Sequence, residues 1–228
     1  MKRFLSLSLF GIAALALSTI LFTTGCGNDA RARVRVVHAS PDAPNVDVVL
    51  DSKTVLSNVA YKTASSYLTI KAGQHTAKVN VAGTQTTVIT ESGVFAGKSD
   101  TTILAVDKVA NITGLVLTDN NTPPTSGNVK VRVIHASPSA GNVDVYVTAP
   151  GGALTAPTLT NVAFKAVSDY LSVAAGSYQV RVTPTGTKNV VIDSGTVALT
   201  AGQIRTVVAL DADATGTTFT AIILPDLK

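Results

Sequence analysis

Three side chains of the types that cooperate in nucleophilic catalysis stand close together near the start of the chain: His38, Ser40 and Asp47. A histidine can take the proton of a serine hydroxyl while a carboxylate holds its ring in the working tautomer. The same types recur later as His135, Ser137 and Asp144. Against a relay, Ser40 lies only two places from His38 and directly before Pro41. No glycine-rich elbow or oxyanion hole accompanies it. A structural need explains the repeat equally well, because an imidazole where a strand enters a turn can bond backbone carbonyls or Asp47 and tie the loop down. We therefore expect no catalytic residues. His38, Ser40, Asp47, His135, Ser137 and Asp144 are taken as a candidate binding or structural loop, with an envelope hydrolase built on that loop as the alternative.

Metal chemistry has little to stand on. The three histidines, His38, His75 and His135, form no pair at zinc spacing. The stretch Asp211-Ala212-Asp213-Ala214-Thr215-Gly216 opens like a calcium loop, but its twelfth position is Ile222 instead of Glu. A turn between strands is the better reading. No metal and no cofactor are expected.

The one cysteine, Cys26, excludes an intrachain disulfide. It follows a basic start, Met1-Lys2-Arg3, an apolar stretch over 4–22, and Thr23-Thr24-Gly25. That order is the order of a secretory leader. The segment resembles bacterial lipoprotein signal peptides, with Gly25 and Cys26 in the lipobox places. The resemblance implies cleavage before Cys26, lipidation of its sulfur and anchorage on a bilayer. Gly27 after the cysteine, where a sorting Asp is absent, implies the outer membrane if the organism has one. An uncleaved transmembrane anchor over 4–22 and plain secretion are the alternatives.

The loop is carried by a duplicated segment. VRVVHASPDAPNVDV (34–48) and VRVIHASPSAGNVDV (131–145) align without a gap, with 12 of 15 positions identical. Further matches follow in order, including Tyr61 with Phe164, Tyr67-Leu68 with Tyr170-Leu171, and Ala72-Gly73 with Ala175-Gly176. Within each copy short runs alternate apolar with polar, the period of half-buried strands, and turn residues recur between them. Glu occurs once, at Glu91, and helix formers are scarce beyond the leader. The expected architecture is all-β: two tandem antiparallel β-sandwich (Ig-like) domains after an N-terminal signal helix, with a closed barrel as the alternative. The expected division is a signal peptide over 1–25, a tether over 26–32, a first sandwich over 33–119, a linker over 120–129 and a second sandwich over 130–228. The linker carries Pro123-Pro124 and should hold only a loosely preferred spacing.

Two hairpins are expected in each copy. One joins 34–38 to 46–50 and would set Arg35 against Asp47, and Arg132 against Asp144. The other turns at 72–74. The recurring aromatics are expected as core plugs.

The motif with its following Tyr and Ala-Gly resembles the bacterial domain of unknown function 4397. The resemblance covers nearly all of 33–228 and implies an envelope-associated or secreted β-sandwich module with no activity to carry over. The formal charge of +4 falls to about +2 without Lys2 and Arg3, and no basic run is interleaved with aromatics, so nucleic acid is not an expected partner. Trp is absent, which weakens a sugar-stacking site. The sequence thus points to a lipid-anchored envelope protein with a non-catalytic binding, adhesion or scaffolding role. Its expected partners are the membrane, through the N-terminal lipid, and a surface ligand or another envelope protein.

Overall fold

The computed structural model describes residues 30–226, so the leader and Cys26 lie outside the described residues. Over these residues the chain is all-β, two tandem four-on-four sandwiches. The described residues hold no α-helix, only a 3-10 turn at Val109–Asn111, and no helix long and apolar enough to cross a membrane.

Four sheets are built. Sheet one takes β4 (Leu68–Lys71), β1 (Arg31–Ala39), β7 (Asp100–Val106) and β8 (Thr113–Asp119) in that order. Sheet two takes β3 (Lys53–Val59), β2 (Val46–Leu50), β5 (Gly73–Val81) and β6 (Thr87–Phe95). The second unit repeats the plan. Sheet three is β12 (Leu171–Ala174), β9 (Asn128–His135), β15 (Ile204–Asp211) and β16 (Phe219–Pro225); sheet four is β11 (Leu159–Val162), β10 (Val143–Thr148), β13 (Gly176–Pro184) and β14 (Ile192–Leu199). Among the described residues all pairings of named strands are antiparallel except β1 with β7 and β9 with β15, the central pairs of sheets one and three. Strands β1 and β9 open at Arg31 and Asn128, so 31–32 and 128–129, read above as tether and linker, are strand. Ala32 and Val129 there are fully buried.

The two expected hairpins are instead crossings between sheets. β1 lies in sheet one and β2 in sheet two, so the segment 40–45 is a corner over the end of the sandwich. Likewise β4 and β5 lie in different sheets, joined through Ala72 and Gly73. Gly73 has φ +135°, which lets the backbone turn the corner where an L side chain would strain it. Sequence alternation marks which face of a strand is apolar, and a corner joins such strands as readily as a hairpin does.

The sheets stack in the order two, one, three, four. Each sandwich has its own core: Val46, Val79, Ile89 and Ala105 with Val34, Phe95 and Ile103 in the first unit, and Val131, Val145, Val182 and Val207 with their neighbours in the second. A third apolar layer lies between the units. Val37, Ala39, Leu104 and Val106 of sheet one pack on Ile134, Ala136, Val208 and Leu210 of sheet three, with Leu224. These are equivalent residues of the two copies, so the contact is self-complementary, like that of a two-fold dimer. Sheets one and three are thus covered on both faces, which is why every residue of β7 is buried while β6 alternates.

The linker is held too. The buried Lys130 ammonium donates to the Asn120 carbonyl at 2.7 Å and the Thr122 carbonyl at 2.9 Å, and lies 5.0 Å from the Tyr170 ring centroid. The loose spacing expected of the linker is replaced by a packed apolar interface and this anchored lysine.

The first core is not completely filled. A void of about 20 Å3 lies among Val36, Ala77, Ile89 and Ile103. Ala77 is the fifth residue of β5, and Val180 fills the fifth place of β13. Ala77→Val should stabilise the chain by about 1 kcal/mol, the worth of two buried methyl groups less some crowding. Urea denaturation at constant m-value measures it; a loss of stability would show that the void cannot accept the side chain.

Candidate functional site

The motif loops sit where β1 and β9 end. His38 and His135 belong to the sandwich-facing alternation of their strands, and both are essentially without solvent exposure. The His38 Nε2–H donates to the Pro44 carbonyl at 3.0 Å, while Nδ1 accepts the Ser40 amide at 3.4 Å. His135 does the same with the Gly141 carbonyl at 2.8 Å and the Ser137 amide at 3.3 Å. Both rings are therefore neutral Nε2–H tautomers that span their own corner. Tyr61 and Phe164 meet them edge-on, at 5.9 and 6.3 Å between centroids. Burial lowers the pKa of both rings, and the backbone bonds oppose this only in part.

Asp47 and Asp144 work on other loops. Asp47 accepts the amides of Asn58 at 2.7 Å and Gly83 at 2.9 Å; Asp144 accepts those of Asn161 at 2.8 Å and Gly186 at 2.9 Å. These bonds hold both carboxyls below the usual carboxylate range. They also secure Asn58 and Asn161, which have left-handed φ of 55° and 51°. The expected pairing of Asp47 with Arg35, and of Asp144 with Arg132, does not occur, because β1 and β2 are in different sheets.

The serines diverge. Ser137 Oγ donates to Asp211, whereas Ser40 Oγ is buried with no hydrogen-bond partner among the described residues. The matching Asp107 turns instead to Lys165, at 3.2 Å. Neither serine hydroxyl faces a free imidazole nitrogen, and neither Asp bonds the histidine. His38, Ser40 and Asp47 lie in one corner without forming a relay, and the second copy is alike. Asp42 accepts the Val109 amide at 2.7 Å, tying the loop to the 3-10 turn. Asp213 accepts Thr215 within its own turn.

The densest polar chemistry lies elsewhere, between the units. The Arg35 guanidinium bonds Asp226 at 2.7 Å and Thr102 Oγ1 at 2.9 Å; Arg132 bonds Asp119 at 2.6 Å and Thr206 Oγ1 at 3.1 Å. Thr102 donates on to Asp119 at 2.6 Å, and Thr206 to Asp226 at 2.7 Å. The six side chains close a ring across the interface: Arg35, Asp226, Thr206, Arg132, Asp119, Thr102. All six are buried. Tyr67 and Tyr170 complete it, each donating to one aspartate and lying under one guanidinium at 4.8 and 4.7 Å. Burial raises both phenol pKa values well above the ordinary range.

The recurring aromatics are thus neither sandwich-core plugs nor an open platform. They are half-buried and serve the corners and the interface; Tyr61, for example, donates to the Asp211 carbonyl of the other unit at 2.7 Å. Asp119, Asp226, Thr102 and Thr206 were missed in the sequence. The signal was present, since Leu117-Thr118-Asp119 and Leu224-Pro225-Asp226 end the two copies alike.

These features define a class: a tandem β-sandwich module whose signature residues serve its corners and the joint between its units. The chain belongs to the family described as Domain of unknown function (DUF4397), whose model matches 32–146 and 149–228. No curated protein matches it. Among solved structures it is similar to the Bacillus anthracis TIE protein, at 8% identity and TM-score 0.27 over 85% of this chain; it spans 34% of that one. It is also similar to a family 41 carbohydrate-binding module from streptococcal virulence factors that recognises alpha-glucan, at 11% identity and TM-score 0.27, over 83% of this chain and 96% of that one. A putative cell adhesion protein from Bacteroides fragilis follows, at 11% identity and TM-score 0.20, over 86% and 97%. Likeness at these scores carries no inference about function.

Because burial depresses the two loop histidines, the unfolded chain binds more protons than the folded one below the ordinary imidazole pKa. Their contribution is complete above about pH 6.5 and is lost as the pH falls below it. Ring NMR shifts at about pH 6 should show His38 and His135 neutral and His75, raised by its bond to Asp51, protonated. Protonation of all three together would contradict the corner geometry. For the ring, Arg35→Met should cost about 3–5 kcal/mol by orphaning the buried Asp226, and adding Asp226→Leu should recover much of it. A double-mutant cycle in urea reads the coupling; simple additivity would show that the two residues act separately.

Proposed function

We propose that this chain is an exported, lipid-anchored, non-catalytic envelope module that presents its paired motif loops to a surface ligand or a neighbouring envelope protein. The supporting observation is the placement of ends. The described chain enters at Ala30, next to the start of β1, and the motif loops lie where β1 and β9 finish. Both strands finish at the same end of the stack, because Tyr61, beside the end of β1, bonds the carbonyl of Asp211 at the end of β15, parallel neighbour of β9. A lipid on Cys26 would therefore hold one end at the bilayer and turn both loops away from it, with Asp42, Pro44, Asn45, Gly141 and Asn142 exposed there. Four stacked sheets and a buried ring make the module a stiff spacer instead of two beads on a string.

The non-catalytic reading rests on the saturation of the loop histidines by backbone groups. The envelope location, in the outer membrane where the organism has one, rests on the leader and on Gly27. Intact-mass analysis of the mature protein from membranes tests the anchor. The expected result is a chain beginning at Cys26 with diacylglyceryl and acyl groups; a free Cys26 thiol, or cleavage elsewhere, would refute it.

A further inference from the structure

The duplication supplies an internal control for surface chemistry, and one end of the first unit fails to match its copy. Arg31 opens β1 and stands directly opposite Lys71 of β4, two like charges on one face of sheet one. Such a pair works against the sheet. The copy has Asn128 opposite Ala174 at the same register. Lys98 donates its backbone amide to the Arg31 carbonyl at 2.7 Å and takes φ +65°, which disfavours any residue with a Cβ. Gly202 makes the same bond to Asn128 in the second unit, with φ +86°. Val94, 74% exposed on β6, pairs with Gln74, and its counterpart opposite Ser177 is Ala198. The first unit thus holds three cations and an exposed apolar side chain where the second holds only Asn, Ala, Gly and Ala. It does so against cross-strand repulsion and backbone strain. Among the described residues the nearby acids are engaged: Asp100 by Arg33 and Asn121, Asp51 by His75 and the Thr76 amide.

We propose that this end is a bilayer-contact face, on which Arg31, Lys71 and Lys98 bind the anionic phosphates of lipid headgroups and Val94 enters the interfacial layer. The place of the chain outside the structure argues for a membrane as the occupant. Ala30 packs against Gly97 in this patch, and Cys26 lies four residues earlier, a reach of about 14 Å at full extension. The inference deepens the anchored-module reading and rests on it for orientation. It adds that the protein surface, beyond the lipid, selects the membrane and fixes the tilt of the stack.

The sixteen strands and the core clusters of the described residues lie within 30–226, so the chain from residue 27 onward keeps all of them and carries no cysteine to lipidate. Its partition is measured by sedimentation with phosphatidylcholine vesicles, with and without phosphatidylglycerol, at low and high salt. The triple variant Arg31→Asn, Lys71→Ala, Lys98→Gly installs residues the second unit already accepts at those places. The expected result is salt-sensitive binding to the anionic vesicles alone, reduced about a hundredfold in the triple variant. Its melting temperature should be unchanged or higher. Lys108→Ala, which removes a cation at the far end, should leave binding unchanged. No binding to anionic vesicles, or equal loss in the triple variant and in Lys108→Ala, would overturn the proposal. Loss of fold in the triple variant would also overturn it, by showing that the cations are structural. None of these outcomes depends on lipidation of Cys26, which the mass measurement reads separately.

Discussion

Two arginines, two aspartates and two threonines closed into a buried ring are the constraint around which the four sheets are arranged. A guanidinium taken out of water is costly unless its donors and charge are met, and here each is met from both units at once. Arg35 bonds its own unit through Thr102 and the other through Asp226; Arg132 does the converse through Thr206 and Asp119. Neither unit can leave without orphaning both arginines and both aspartates, one of each on either side of the joint. The flanking apolar layer, from Val37 and Ile134 to Leu104 and Val208, supplies area, and the ring supplies register.

This joint gives the family motif a physical meaning. In V-R-V-x-H-A-S-P the valines alternate into the sandwich, the arginine reaches the other unit, and the histidine ends the strand by bracing the corner that follows. The later Asp caps two neighbouring loops by their amides. The arginine, the histidine and the later Asp thus each have partners in backbone or across the joint, whereas the Ser40 hydroxyl has none among the described residues. The resemblance to a hydrolytic constellation comes from residue types alone: imidazole, hydroxyl and carboxylate here face three different directions.

Sequence divergence between the copies follows what each position contacts. At the joint, equivalents are conservative: Val37 for Ile134, Leu104 for Val208, Val106 for Leu210. The sandwich cores keep the same residue at many places, such as Val34 and Val131, Val46 and Val143, and Val79 and Val182, and differ at single positions. The first unit keeps a void beside Ala77, where the second has Val180, and concentrates charge at the end where the described chain begins.

The all-β class, the duplication, the strands and the importance of the motif were legible from residue types and from a period of two, because that period is a local property of the extended chain. The leader and Cys26 are likewise local text. Reading which strands share a sheet required more, since alternation assigns faces but does not say what covers them. The run Thr101-Thr102-Ile103-Leu104-Ala105-Val106 could have warned of a strand buried on both sides, and the matched Asp119 and Asp226 of a shared role. Their partners could not be read at all. Arg35 meets Asp226 across 191 positions of sequence, a pairing that exists only because two sheets fold face to face. That His38 could tie down its loop through backbone carbonyls was legible; tertiary structure alone decided that the Pro44 carbonyl would be its partner and not Asp47, that Asp47 would hold loops instead of Arg35, and that two copies would share a third core.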